Sequence, residues 1–160
     1  MHSSGLYLQL FSIHGLIRGT SPELGRDADT GGQVKYVLEL ARSLAAHPEV
    51  AQVDLVTRLI ADKTVSSDYS RPIEPLSEKA RIVRIQCGGR KYIRKELLWS
   101  HLDEMVDKTL KFIKAFGRVP DVFHGHYADG GYVAGELARI FGSPFIFTGH
   151  SMGAHKKRPC

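Results

Sequence analysis

The sequence predicts an α/β fold, a Rossmann-like doubly wound parallel sheet, in a single domain that covers residues 1–160. Apolar segments of strand length alternate along the chain with longer amphipathic segments of helical period. The strand segments are continuously apolar, which is typical of strands that are buried on both faces of a sheet. Glycine-bearing polar segments follow directly after strands, at the sheet edge where such folds bind ligands.

The amino-terminal half is predicted to start with a strand at Leu6–Ser12. The loop from Ile13 to Thr30 is longer than most links between a strand and a helix, which favours a functional loop. The next helix has Thr30 as N-cap and Gln33 as its capping-box partner, and it ends near His47. We expect a second strand at Val53–Thr57, a polar surface excursion over Arg58–Lys79 and a third strand at Arg81–Gln86.

The carboxyl-terminal half contains the longest helical pattern, from Glu96 to Phe116, which Gly117 closes. A strand follows at Asp121–His126, and Asp129 is predicted to cap the next helix, which Gly142 ends. The last predicted strand is Phe145–Thr148.

The junction between the long loop and the first helix is a candidate phosphate site. Gly31 and Gly32 fall in the first helical turn, where backbone N–H groups have no partner within the helix. Residues without side chains let an anion approach those groups at the positive end of the helix dipole. A capped helix after a flexible loop is the alternative interpretation of this motif.

Two short patterns raise the question of a metal. Asp27 and Asp29 form an Asp-x-Asp, a pattern that some metal-dependent sugar transferases use, but here they adjoin a helix start, where capping explains them. His124 and His126 face the same side of a strand, yet no third ligand is visible. We therefore expect no metal and no cofactor.

Composition excludes several classes of protein. The chain has 42% hydrophobic residues and no apolar run that could span a bilayer, and its start lacks the features of a signal peptide. Its two cysteines show no CxxC spacing, so we expect a reduced, cytoplasmic protein. The net charge of +5 suits phosphorylated ligands as well as nucleic acid. Without an RNA-binding or zinc-finger motif, we expect neither a nucleic-acid nor a membrane partner, and the oligomeric state stays open.

Five stretches together resemble the amino-terminal half of the sucrose-phosphate synthases, a family of retaining GT-B glycosyltransferases. They occur in the family's order and cover nearly the whole chain after Gly5. The combination of TGGQVKYV, HGHYAD and TGHS is highly specific for this family. Sucrose synthase, which shares the DTGGQ element, is the nearest alternative family. The stretches are SIHGLIRG (Ser12–Gly19), ELGRDADTGGQVKYVLELARSL (Glu23–Leu44), VDLVTR (Val53–Arg58), HGHYADGG (His124–Gly131) and FTGHSMG (Phe147–Gly153).

The resemblance implies transfer of glucose from UDP-glucose to fructose 6-phosphate, giving sucrose 6-phosphate. It implies that the glycine loop lines the acceptor pocket near the donor diphosphate and that His150 lies against the reacting sugar. It also implies a fructose 6-phosphate site, for which a lysine is chemically suited because it brings a point charge to a phosphate dianion. The implied binding residues are Gly31, Gly32, Gln33, Lys95, Tyr127 and Lys156.

The chain departs from the family in length, since family members run to several hundred residues. We expect an incomplete acceptor-binding domain, a truncated amino-terminal domain without the donor-binding domain, and no activity of this fragment alone. A non-catalytic module that binds sugar phosphates is a second hypothesis. A basic RNA- or membrane-associated domain is a third, supported by net charge alone.

Overall fold

The computed structural model describes residues 5–20 and 31–149. Six strands and three α-helices are found within these residues, linked in part by short 3-10 turns at Ser67–Ser70, Lys95–Leu97 and Trp99–His101. In chain order the elements are β1 (Leu6–Phe11), α1 (Gly31–Ala45), β2 (Val50–Arg58), β3 (Ile73–Pro75), β4 (Ala80–Ile85), α2 (Leu102–Phe116), β5 (Val122–His126), α3 (Tyr127–Phe141) and β6 (Phe145–Thr148).

The strands form one sheet in the order β3-β4-β2-β1-β5-β6. All neighbouring pairs are parallel except β3 and β4, which pair antiparallel at one edge. Chain connections run outward from β1 first through β2 and β4 and later through β5 and β6. This is the doubly wound arrangement that the alternation of strands and helices predicted.

Helices cover both faces of the sheet. Helix α1 packs on one face, and α2 and α3 pack on the other, because alternate residues of each strand point to opposite faces. The residues facing α1 include Leu10, Leu55 and Ile82, and those facing α2 and α3 include Phe11, Val56 and Val83.

A buried carboxylate joins three strands on the α2 side of the sheet. The Asp54 side chain is fully buried and accepts hydrogen bonds from the Tyr7 hydroxyl, from Gln9 Nε2 at 3.2 Å and from Arg81 Nε at 2.7 Å. Burial, and then the Asp54 charge, raise the pKa of Tyr7, so the phenol stays a donor. The Phe116 ring of α2 lies 4.8 Å from the Arg81 guanidinium and covers the cluster.

The helix ends follow the sequence closely. Helices α2 and α3 end at Gly117 and Gly142, whose φ angles of 91° and 75° place them in the left-handed region that glycine tolerates. Both stops were predicted. Each of the three helices has 15 residues, and none in the described part of the chain is long and apolar enough to cross a membrane.

The predicted surface excursion over 58–79 is wrong in part. It contains the edge strand β3 and a turn whose Tyr69 side chain is buried against Leu16 and Ile60. Glu74 in β3 is also buried, because it accepts a hydrogen bond of 2.7 Å from Arg84 of β4. The polar composition of this segment did not indicate a buried strand, because the charge of Glu74 is buried only through its pairing with Arg84 on the neighbouring strand.

The helix predicted from Glu96 begins only at Leu102. Two 3-10 turns precede it, and Leu98, which lies between them, is buried, while Leu97 and Trp99 are 56% and 51% exposed. The packing of Leu98 into the core holds this segment in place. The helical spacing of the sequence therefore placed the start of the helix about a turn and a half too early.

The predicted last strand is present as β6, but it is not buried on both faces. Phe145, Ile146 and Phe147 are 44%, 48% and 46% exposed among the described residues. Only β5 pairs with β6, so this strand forms the sheet edge opposite β3 in the described part of the chain.

Candidate functional site

The candidate site lies where the winding of the sheet reverses. Strands β1 and β5 are parallel neighbours, but the chain leaves β1 toward β2 and leaves β5 toward β6. Loops that leave in opposite directions open a crevice beyond the carboxyl ends of the two strands, and ligands of doubly wound folds bind there. The segment after β1 and the start of α3 form this part of the molecule.

Three glycines bring the start of α3 directly onto the sheet. A Cβ on Gly130 would lie 2.5 Å from the carbonyl oxygen of Phe11 in β1, and one on Gly125 would lie 2.5 Å from the carbonyl oxygen of Gly130. On Gly131 it would lie 2.7 Å from the Phe147 ring. The HGHYADGG stretch therefore allows a helix to begin in contact with the ends of β1 and β5.

Asp129 is buried at this junction and bonds to His14, which follows β1. The His14 Nδ1 to Asp129 Oδ2 distance is 2.7 Å, and the Asp129 Oδ1 atom accepts from the Gly130 N–H at 2.8 Å. The prediction that Asp129 caps α3 is wrong: it is the third residue of the helix, and His126 occupies the N-cap without a side-chain bond. The Asp129 carboxylate instead forms a hydrogen bond with the His14 side chain.

Tyr127 holds an unusual backbone conformation. Its φ angle is 64°, and among the described residues no other non-glycine residue has a positive φ. Such a conformation costs about 1–3 kcal/mol and is often found at functional sites. The Tyr127 ring meets the His14 ring edge-on at a centroid distance of 5.0 Å.

A pocket of about 240 Å³ opens beside this pair. The Lys95 ammonium, from the turn before α2, lies 6.0 Å from the Tyr127 ring centroid. Lys95 and Tyr127, which the resemblance implies as binding residues, are 32 residues apart in the sequence and line one pocket. The complete lining is His14, Lys95, Glu96, Trp99, Tyr127, Ala128 and Asp129.

The basic stretch GGRKYIRK (Gly88–Lys95), which ends at Lys95, is held at its start by Arg58. This buried arginine donates from Nε to the Cys87 carbonyl at 2.7 Å and from Nη2 to the Gly89 carbonyl at 3.2 Å. Burial lowers the pKa of Arg58. The end of β2 thus fixes the start of the loop whose other end reaches the pocket.

The glycine loop is described only from Gly31 onward. Gly31 and Gly32 begin α1 as predicted, and a Cβ on Gly32 would meet nothing within 4 Å, so packing does not explain this glycine. Gln33 is buried and donates from Nε2 to the Ser12 hydroxyl after β1, so the capping-box prediction for its side chain is wrong. Its Oε1 atom is among the buried side-chain atoms without a hydrogen bond.

Several predicted residues lie outside the described residues. His150 and Lys156 are among them, as are Thr30 and the aspartates Asp27 and Asp29. The binding and catalytic roles that the resemblance implies for these residues, and for those in the pocket, stay predictions.

The two strand histidines interact with each other and with a hydroxyl. The rings of His124 and His126 are 4.2 Å apart, as expected for residues on the same side of β5. His124 Nε2 lies 2.7 Å from the Thr148 hydroxyl of β6. Within residues 5–20 and 31–149, no group of three potential metal-ligating side chains occurs.

Sequence reasoning did not select His14 as a site residue. The signal was present, since a histidine directly after the first strand of a doubly wound fold lies at the edge where ligands bind. Asp129 was noticed but was given a local role, because a carboxylate near a helix start is usually a cap.

Comparison with known proteins identifies the family. The glycosyl transferase 4-like domain matches residues 31–160. The chain belongs to this family.

Known relatives of this glycosyl transferase 4-like domain agree with the motif resemblance. Sucrose-phosphate synthase 4 of Arabidopsis thaliana is 47% identical over 175 residues, covering 96% of this chain and 17% of that protein. Sucrose-phosphate synthase of Zea mays is 47% identical, covering 94% and 16%. The chain thus spans about a sixth of the length of these relatives.

A solved structure confirms the fold. Sucrose-phosphate synthase from Thermosynechococcus elongatus superimposes with a TM-score of 0.77 at 27% identity, covering 96% of this chain and 35% of that one. The chain is therefore similar in sequence and in fold to the amino-terminal portion of sucrose-phosphate synthases, which are GT-B glycosyltransferases.

Proposed function

We propose that this chain forms the acceptor-binding part of a retaining glycosyltransferase that transfers glucose from UDP-glucose to fructose 6-phosphate, giving sucrose 6-phosphate. The observation that carries the proposal is the pocket at the sheet's reversal point. It places the Lys95 ammonium beside the Tyr127 ring and a buried His14–Asp129 pair. A cation next to hydrogen-bonding groups suits a ligand with both a phosphate and hydroxyls.

Each predicted residue has a place in this proposal. Lys95 and Lys156 bind the phosphate, Tyr127 bounds the sugar ring, and His150 lies against the glucose that is transferred. The start of α1, with Gly31, Gly32 and Gln33, lies between the acceptor and the donor diphosphate. In this proposal the donor-binding domain is part of the additional sequence that the longer relatives have. The reaction needs no metal or other cofactor. It takes place in the cytoplasm.

Lys95→Ala is expected to weaken fructose 6-phosphate binding about tenfold, because it removes a charge-assisted bond to the phosphate. Wild-type affinity should be in the millimolar range, about 4 kcal/mol, and fructose should bind more weakly still. Chemical-shift titration with both sugars measures this. Lys91→Ala removes an exposed lysine from the same basic stretch and serves as the matched control, with no expected change.

Equal affinity for fructose and fructose 6-phosphate would contradict the phosphate role and would favour the sucrose synthase alternative. A loss of affinity in Lys91→Ala equal to that in Lys95→Ala would show a general charge effect instead of a site.

The 160-residue chain assayed alone is expected to form no sucrose 6-phosphate from UDP-glucose and fructose 6-phosphate. Alignment of both substrates supplies much of the rate of such a transfer, and this chain represents only a sixth of its relatives' length. Detection of the product by mass spectrometry, at a rate similar to that of a full-length relative, would contradict this expectation.

A further inference from the structure

The His14 imidazole is buried, and one of its nitrogens lacks a hydrogen bond. The side chains of His14 and Asp129 are 3% and 5% exposed. Nδ1 is bonded to Asp129, whereas Nε2 is a buried atom without a hydrogen-bond partner. His14 is also one of the residues that line the pocket, so the unpartnered nitrogen belongs to a residue of the pocket wall. A buried polar atom without a partner is unfavourable, and a ligand group that donates a hydrogen bond to it would remove this cost.

The bonds of Asp129 determine where the histidine proton lies. An ionised carboxylate only accepts hydrogen bonds, so the bond of 2.7 Å requires a proton on His14 Nδ1. The other carboxylate oxygen accepts from the Gly130 N–H at 2.8 Å, which fixes the plane of the carboxylate. In the neutral imidazole, Nε2 then carries a lone pair and is an acceptor.

We propose that Asp129 is a positioning residue that holds His14 in its Nδ1–H tautomer, so that Nε2 accepts a hydrogen bond from a hydroxyl of the sugar in the pocket. The identity of that sugar rests on the proposed function. Lys95 and Glu96 are the other charged side chains lining the pocket. Lys95 binds the phosphate in this arrangement, and His14 recognises the sugar itself. A ligand without a suitably placed hydroxyl would leave Nε2 unpaired and would bind less well.

The tautomer can be observed directly by ¹⁵N NMR of the imidazole nitrogens of the full chain, at about pH 8, where an ordinary histidine is neutral. In the wild type, His14 Nδ1 should carry the proton and Nε2 should not. Addition of fructose 6-phosphate should shift the Nε2 signal in the direction expected for a new hydrogen bond. A proton on Nε2 in the wild type would overturn the proposal, whatever the variants do.

Asp129→Asn is expected to reverse the tautomer. The amide oxygen must keep accepting the hydrogen bond from the Gly130 N–H, because an NH₂ group cannot accept it. The NH₂ group therefore takes the place of Oδ2 and donates to His14 Nδ1. The proton then lies on Nε2, which becomes a donor. Affinity for fructose 6-phosphate should fall about tenfold, whereas affinity for inorganic phosphate should not change.

His14→Phe removes the acceptor but keeps an aromatic ring, and it should cause the same selective loss. Asp107→Asn makes the same chemical change as Asp129→Asn at an exposed position of α2 and should leave both affinities unchanged. Wild-type affinity for fructose 6-phosphate in Asp129→Asn and His14→Phe would overturn the inference. Absence of binding by the wild type would overturn the proposed function, and the imidazole signals would still decide the tautomer.

Discussion

Asp54→Ala is expected to lower the free energy of unfolding by about 3–5 kcal/mol, one of the largest effects of any single change in this chain. Asp54 is fully buried and accepts bonds from Tyr7, Gln9 and Arg81. Its removal leaves a guanidinium without its carboxylate and a buried phenol without its acceptor. Denaturation in urea, followed by circular dichroism, measures the loss.

The control for Asp54 is Asp107→Ala. Asp107 pairs with Lys111 at 3.0 Å on the exposed face of α2, and pairs of this kind contribute about 0–1 kcal/mol. A loss below about 1 kcal/mol for Asp54→Ala would mean that water reaches the cluster and that the described packing over it is wrong.

Gly130→Ala is expected both to destabilise the domain and to remove sugar-phosphate binding. The added Cβ would lie 2.5 Å from the backbone oxygen of Phe11, and β1 is held between β2 and β5. The start of α3 must therefore move, and it carries Tyr127 and Asp129 out of position. Overpacking of this kind costs about 1–3 kcal/mol, and urea denaturation together with a fructose 6-phosphate titration measures both effects.

A second glycine in the same helix gives the matched comparison. At Gly135 an added Cβ would be 3.6 Å from the Phe145 ring, which is ordinary contact. Gly135→Ala should therefore be neutral or stabilising by up to about 1 kcal/mol through helix propensity, with binding intact. Gly130→Ala behaving like Gly135→Ala would show that α3 does not rest on β1 as described.

The fold was largely predictable because each signal was local. The spacing of hydrophobic residues along the chain predicted the strands and helices, and Gly117 and Gly142 indicated the ends of α2 and α3. Strand β3 was not predicted because it has only three residues, Ile73–Pro75, and because its Glu74 is buried only through a hydrogen bond from Arg84 of another strand. The extra turn and a half assigned to α2 has a similar cause, since the burial of Leu98 depends on the core beneath it.

The candidate site was predictable in place but not in its details. Strand order brings the ends of β1 and β5 together, and the positions after those strands can be read from the sequence. The bond between His14 and Asp129 joins residues 115 apart, and no local pattern reports such a pair. Gln33 shows the same limit, because its place in the sequence fitted a helix cap whereas its side chain bonds to Ser12.

The most direct test of the central claim, that the pocket between β1 and α3 binds a sugar phosphate, is a residue-by-residue map of amide shifts on adding fructose 6-phosphate. The largest changes should occur at His14, Lys95, Tyr127 and Asp129, with smaller ones at Trp99 on the rim of the pocket. Fructose at equal concentration should give a weaker version of the same pattern. Changes confined to the exposed residues of the basic stretch, with the His14 and Asp129 amides unmoved, would contradict the claim.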